Sequence, residues 1–133
     1  MIWHFIVVHK FILMLKILLL ILLLTSNQVS ANGITLAEGC TIALEDSATS
    51  DADKAFKMGG CLGIVIGVLH TMSYMVNLEG TDPLACFPVN GIENIQAIKI
   101  VNKYLTDHPE SLHEREAFLV MMSFIEAFPC PNQ

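Results

Sequence analysis

From residue 34 onward the apolar positions recur at helical spacing, interrupted by two polar or proline-containing stretches. Leu36, Cys40 and Leu44, four residues apart, predict a first helix over about 34–44, which Gly39 weakens. The polar run Glu45-Asp46-Ser47-Ala48-Thr49-Ser50-Asp51 reads as a loop that also supplies N-caps. A long second helix is expected over about 53–77. There Ile64, Val65, Ile66, Val68, Leu69, Met72, Tyr74 and Met75 make nearly every face apolar, the pattern of a central, deeply buried helix. Gly59, Gly63 and Gly67 fall four apart and share one stripe of it. Each glycine lowers helix propensity by roughly 1 kcal/mol, so their repetition predicts that another backbone packs closely there. Lys54, Lys57 and His70 interrupt the segment, which favours a soluble core over a membrane dimer.

Residues 78–91 are irregular, because Pro83, Pro88, Gly80 and Gly91 forbid a continuous helix. A third helix is expected over about 92–106, with Ile92, Ile95, Ile98, Val101 and Leu105 as its core stripe and Asn90 with Glu93 as a capping box. Asp107 or His108 ends it, and Pro109 suits the first position of a fourth helix reaching about Ala127. The fold class is all-α, a small bundle of four to five helices. With almost no loop between them, the third and fourth helices should form an antiparallel hairpin.

The start of the chain follows a different pattern. Lys10 and Lys16 precede an unbroken run of eight apolar residues, Ile17 to Leu24. The polar exit Thr25-Ser26-Asn27-Gln28 and the small-residue site Val29-Ser30-Ala31 follow. This order describes a secretory signal, so residues 1–31 are expected to be cleaved and residues 32–133 to form one domain in the periplasm. Met14 could itself open a compact signal. The alternative, an envelope anchor over residues 1–24, would need ~20 apolar residues, more than the clean run supplies. All thirteen acidic residues but only five of the seven basic ones lie after residue 31, so the mature chain carries a formal charge of −8. Such a domain is repelled by nucleic acid and anionic lipid and steered toward basic surfaces.

Cys40, Cys61, Cys86 and Cys130 all lie in the exported part, an even count that suggests two disulfides. Folding the chain back at the 45–51 loop brings Cys40 near Cys61, and the second hairpin brings Cys86 near Cys130. Of three connectivities, 40–61 with 86–130 is favoured. No pair has the close spacing of a zinc or redox motif, and oxidation would consume any catalytic thiol. His70 reads as a core or interface histidine, and His108 and His113 do not share a helical face. His113-Glu114 begins like a zinc-protease motif, but Ala117 stands where the second histidine is required. Glu110, Glu114 and Glu116 read as a solvated face with favourable first-turn charge. Neither a catalytic constellation nor a cofactor or metal site emerges; a non-enzymatic binding protein is the reading that remains.

Three blocks resemble the bacterial type VI amidase immunity (Rap/Tai) family. The first is Cys61-Leu62-Gly63-Ile64-Val65-Ile66-Gly67-Val68; the second is Cys86-Phe87-Pro88 followed by Gln96 and Tyr104-Leu105; the third is His108-Pro109-Glu110, His113 and Ala127-Phe128-Pro129-Cys130. Departures are Ile64 for an aromatic, His70 for an acidic residue, one extra residue between Pro88 and Gln96, and Met121-Met122-Ser123-Phe124 for a more alanine-rich stretch. The resemblance implies a periplasmic helical protein, often a homodimer, that binds and blocks a cell-wall amidase injected by a neighbouring cell. The expected partner-binding residues are Glu79, Asp82 and Phe87 in the irregular segment and Asp107, His108 and Glu110 at the following turn. A competing reading is a small periplasmic acid-stress chaperone that loosens as its carboxylates protonate.

Overall fold

Asp51 starts the longest helix. In the computed structural model, which describes residues 10, 12–17, 32–45, 49–76, 78, 80 and 82–131, its carboxylate accepts from the backbone N–H groups of Asp53 and Lys54 at 2.9 and 3.3 Å. These are two of the donors that a helix start leaves without an intrahelical partner. Asn32 does the same for the first helix, accepting from the N–H groups of Ile34 and Thr35. The chain divides into two compact units, Met1–Ser30 and Ala31–Gln133. In the first, residues 12–17 are helical; the expected cleavage site at 29–31 lies outside the described residues.

The second unit is built from α1 (Gly33–Glu45), α2 (Ala52–Met75), α3 (Asn94–Asp107), a 3₁₀ turn at Pro109–Ser111 and α4 (Glu116–Ala127). All regular structure among the described residues is helical, as the apolar periodicity implies. Every helix contributes one stripe to a common core. Leu36 and Cys40 come from α1, Cys61, Val65 and Leu69 from α2, Ala97, Ile98, Val101 and Leu105 from α3, and Leu119, Val120 and Phe124 from α4. Cys40 pairs with Cys61 and Cys86 with Cys130, with Cα–Cα separations of 5.2 and 5.0 Å, in the connectivity the loop positions favour.

Four expectations need correction. First, α2 is not the sheathed centre: only Cys61, Val65, Leu69 and Met72 are buried, and His70 is exposed. Second, Gly59, Gly63 and Gly67 are exposed, and a Cβ added at any of them would meet nothing within 4 Å. Close backbone approach occurs at α1 instead. A Cβ on Gly39 would collide with the Lys57 carbonyl, and one on Gly33 with Leu119 and the Leu112 backbone. Third, α3 begins two residues later than expected. Gly91 takes φ 72°, its N–H donates to the Pro88 carbonyl at 2.8 Å, and Glu93 is extended at the cap with no side-chain capping bond. Ile95 is consequently half exposed at 50%, while Ala97 is fully buried. Fourth, α3 and α4 do not form a tight antiparallel hairpin. Arg115 is extended (φ −69°, ψ 139°), and the Glu114 carbonyl accepts from the Gly33 N–H at 3.2 Å, so the segment from His108 to Arg115 turns aside to meet α1. His108 at the end of α3 then lies 3.3 Å from Glu126 in the last turn of α4. The helices meet through their C-terminal halves.

Two predictions follow from this packing. Gly39→Ala is expected to destabilise the domain by about 2 kcal/mol through overpacking, whereas Gly63→Ala should leave it unchanged or up to ~1 kcal/mol more stable; urea unfolding distinguishes them. The disulfides close loops with sequence separations of 21 and 44. Removing them pairwise, as Cys40→Ala/Cys61→Ala and Cys86→Ala/Cys130→Ala, should therefore lower stability by about 3 and about 4 kcal/mol respectively in the chain-entropy model.

Candidate functional site

The irregular segment after α2 is held at several points. Ala85 is buried, the Cys86 N–H donates to the Phe128 carbonyl at 2.8 Å, and Cys86 is bonded to Cys130. The Phe87 ring packs edge-on against Phe124 at 5.7 Å and tilted against Phe128 at 5.3 Å. Phe87, expected to face a partner, thus has its ring on α4 and is half-buried. Leu78 and Leu84 are partly exposed, and the most exposed apolar residue described in the segment is Val89, which the turn closed by Pro88 and Gly91 leaves fully exposed. Asp82 is exposed at the near end, and Glu79 lies outside the described residues.

The turn after α3 is a network of charged groups. The His108 N–H donates to the Tyr104 carbonyl, and its ring lies 4.3 Å from the Tyr104 ring. Its two ring nitrogens face different carboxylates, Nδ1 that of Glu110 and Nε2 that of Glu126, each at 3.3 Å. Lys103 pairs with Asp107 one turn back on α3. His113 Nδ1 lies 2.9 Å from the Glu110 carbonyl, which holds the 3₁₀ turn closed. The Glu110 carboxyl is held below the usual carboxylate range, first by its own backbone N–H and then by His108. Burial, then the carboxylates of Glu126 and Glu110, push the Tyr104 phenol up. A shallow cavity of ≈150 Å³ opens beside this network, lined by Lys103, Tyr104, Asp107, Ser123 and Glu126 among others. Glu116 departs from the expected solvated face: it is half-buried, and burial raises its carboxyl above the ordinary value.

These two regions, read separately in the sequence, converge on one element. Cys86 and Phe87 grip Phe128, and His108 reaches Glu126, two residues earlier on the same final turn of α4. In the first region Asp82 and Val89 are exposed; in the second Asp107, Glu110 and Glu126 are exposed, with His108 half-buried between the last two carboxylates. Val89 and Glu126 were missed because nothing in their local spacing marks them. Among the described residues there is no free cysteine and no group of three or more potential metal ligands.

A separate apolar groove of ≈390 Å³ runs between α2 and α4, lined by Gly63, Gly67, Thr71, Met75, Leu84 and Met121 among others. By length and composition alone α2 could cross a membrane. Its Cys61–Cys40 bond and buried stripe hold it in the bundle.

Comparison with known proteins gives one match: the model of a family described as Rap1a immunity proteins matches residues 32–130. No curated protein and no solved structure matches.

A lowered carboxyl stabilises the fold fully above the ordinary carboxylate value of 4.5 and loses that contribution as pH falls through its folded value. Glu110→Gln should therefore melt below the wild type at about pH 7, with the gap closing by about pH 3. Glu116→Gln should show the opposite sign at neutral pH, because burial disfavours its charged form. Thermal melts followed by circular dichroism at both pH values check the pair.

Proposed function

The chain belongs to the Rap1a immunity protein family, and on that footing we propose that it is a periplasmic inhibitor of a peptidoglycan amidase delivered by type VI secretion, protecting the cell that makes it. The observation that carries this reading is the family match, which spans residues 32–130 and so nearly the whole of the second unit. Two disulfides support an oxidising compartment, since such bonds persist in the periplasm and rarely in the cytosol. The signal-like order of residues 10–31 supports the same compartment.

The docking surface in this proposal is the one gathered on the last turn of α4. Val89 supplies an exposed apolar anchor, and the Cys86–Cys130 bond with the Phe87 packing orders its loop before any partner arrives. A loop already ordered loses little conformational entropy on binding. In this proposal Asp82, Asp107 and Glu110 supply the peripheral charge, which sets the association rate while apolar contacts carry affinity. Glu79 is included from its place in the sequence.

The test uses the protein made from the full chain and a panel of type VI cell-wall amidases that includes any encoded beside its gene. Stoichiometric mixing should abolish peptidoglycan hydrolysis. Val89→Asp should weaken inhibition by at least about tenfold. Asp82→Lys with Glu110→Lys should slow association and reduce its dependence on salt. Full hydrolysis in the presence of excess wild-type protein would overturn the reading.

A further inference from the structure

We propose that His108 is a pH-operated latch between α3 and α4. It closes on the last turn of α4 when its ring carries two protons and releases that turn when the ring carries one. The geometry behind this is the placement of two carboxylates on the two nitrogens of a single ring. Nδ1 lies 3.3 Å from Glu110 Oε1, and Nε2 lies 3.3 Å from Glu126 Oε2. An ionised carboxylate only accepts, and a neutral imidazole has one N–H and one bare lone pair. With one proton, therefore, the ring serves one carboxylate and turns a lone pair toward the other. Only the doubly protonated ring satisfies both. Glu110 is two residues along the same turn and stays near the ring in either state, whereas Glu126 comes from a different helix. The contact that a proton makes and breaks is thus the one between elements.

The other titratable groups nearby are committed elsewhere. On α3, Tyr104 lies against the imidazole at 4.3 Å, and Lys103 is paired with Asp107. In the turn, His113 places Nδ1 on the Glu110 carbonyl and Nε2 on the Glu114 carboxylate. On α4, Glu126 faces the ring, and Glu116 stands at the opposite end of the helix. Imidazoles change charge between about pH 5 and 8, and glutamates near pH 4. The Glu110 carboxyl is held lower still, by its own backbone N–H and then by His108. The latch is therefore closed in mildly acidic solution, and open both at alkaline pH and where carboxylates are neutralised. It holds more than itself. The same turn of α4 leads into Phe128, whose carbonyl accepts from the Cys86 N–H at 2.8 Å and whose ring lies 5.3 Å from that of Phe87. A proton on His108 thus steadies the seat of the loop before α3. Where this turn serves as part of the docking surface proposed above, a basic partner meets a weaker field and a stiffer turn in acid. The latch itself does not depend on that reading.

The experiment is NMR on the protein made from the full chain, at about pH 5.5 and about pH 8, on either side of the imidazole range. Ring nitrogen shifts should show His108 with two protons at the lower pH and one at the higher. Amide exchange, expressed as protection factors so that its intrinsic pH dependence cancels, reads the latch. The Phe128 N–H, which donates to the Phe124 carbonyl, and the Cys86 N–H report on the turn and the loop. Both should be about two- to fivefold better protected at the lower pH, the size expected of a partly exposed ion pair. Glu126→Gln and His108→Gln should each abolish the difference with unchanged far-UV circular dichroism, and His113→Gln should keep it. A singly protonated His108 ring at the lower pH, or equal protection of the wild type at both, would overturn the proposal. So would a difference that survives Glu126→Gln, or one that His113→Gln removes as fully as His108→Gln. Amidase inhibition is not among these readouts, so failure of the latch and failure of the inhibitory reading are told apart.

Discussion

The bundle depends on how closely α1 can lie against α2. At Gly39 the backbone of one helix meets the Lys57 carbonyl of the other with no room for a methyl group, and the next residue, Cys40, is bonded to Cys61 one turn further along α2. Contact and bond enforce each other: the bond holds the helices at a distance that only glycine tolerates. Around the same contact Lys57 reaches the carboxylates of Glu38 on α1 and Asp53 on α2, at 2.8 and 2.9 Å, and both raise its pKa, Glu38 first. These charges are solvated and add little stability, but they orient the helix starts where Asp51 has already set the entry of α2. With α1 and α2 fixed, the far end of α1 becomes the seat for residues 112–119, through Gly33, and this is why the chain leaves α3 by a detour rather than a hairpin.

That detour decides where the candidate surface lies. A tight hairpin would have left His108 beside the start of α4. Turning aside over eight residues lets α4 cross back so that its last turn, not its first, meets the end of α3. The Cys86–Cys130 bond then pulls the loop before α3 to the same place. Two segments more than fifteen residues apart in sequence are thus both fastened to a third, the final turn of α4.

Much of the architecture was legible in the sequence, and the reasons for each success and failure are specific. Helix positions and disulfide connectivity follow from periodicity and loop placement, which are local properties. The polar run 45–51 was legible as a source of caps, and Asp51 is the one that serves, because capping is a matter of a few neighbouring atoms. The role of the glycines was assigned to the wrong helix. Sequence shows that glycine at four-residue spacing is unfavourable, but not whether the offsetting contact lies within the chain; Gly33 and Gly39, six residues apart, carried no such signal and make the contacts. The burial of α2 was overestimated for a related reason. An apolar circumference looks the same whether its second face meets its own core or something outside it. Phe87 and Val89 illustrate the limit for the candidate site: a composition-based choice favours the aromatic, but the aromatic is committed to Phe124 and Phe128, and the smaller residue beyond it is the one left exposed.

The short stretch from Asp82 to Val89 shows how a small domain can serve more than one contact. Leu84 closes one end of the groove beside α2, Ala85 is in the core, Cys86 and Phe87 are fastened to α4, and Val89 stands clear of the surface. Within six residues the chain passes from the groove to the exposed tip. Because its middle is pinned by a covalent bond and an aromatic cluster, neither end can shift without straining the other. A displacement of Leu84 by anything seated in the groove would have to be absorbed between residues 84 and 86. The disulfide therefore does more than add stability to a domain with a modest core: it fixes, within one short stretch, Leu84 at the groove and Val89 at the exposed tip.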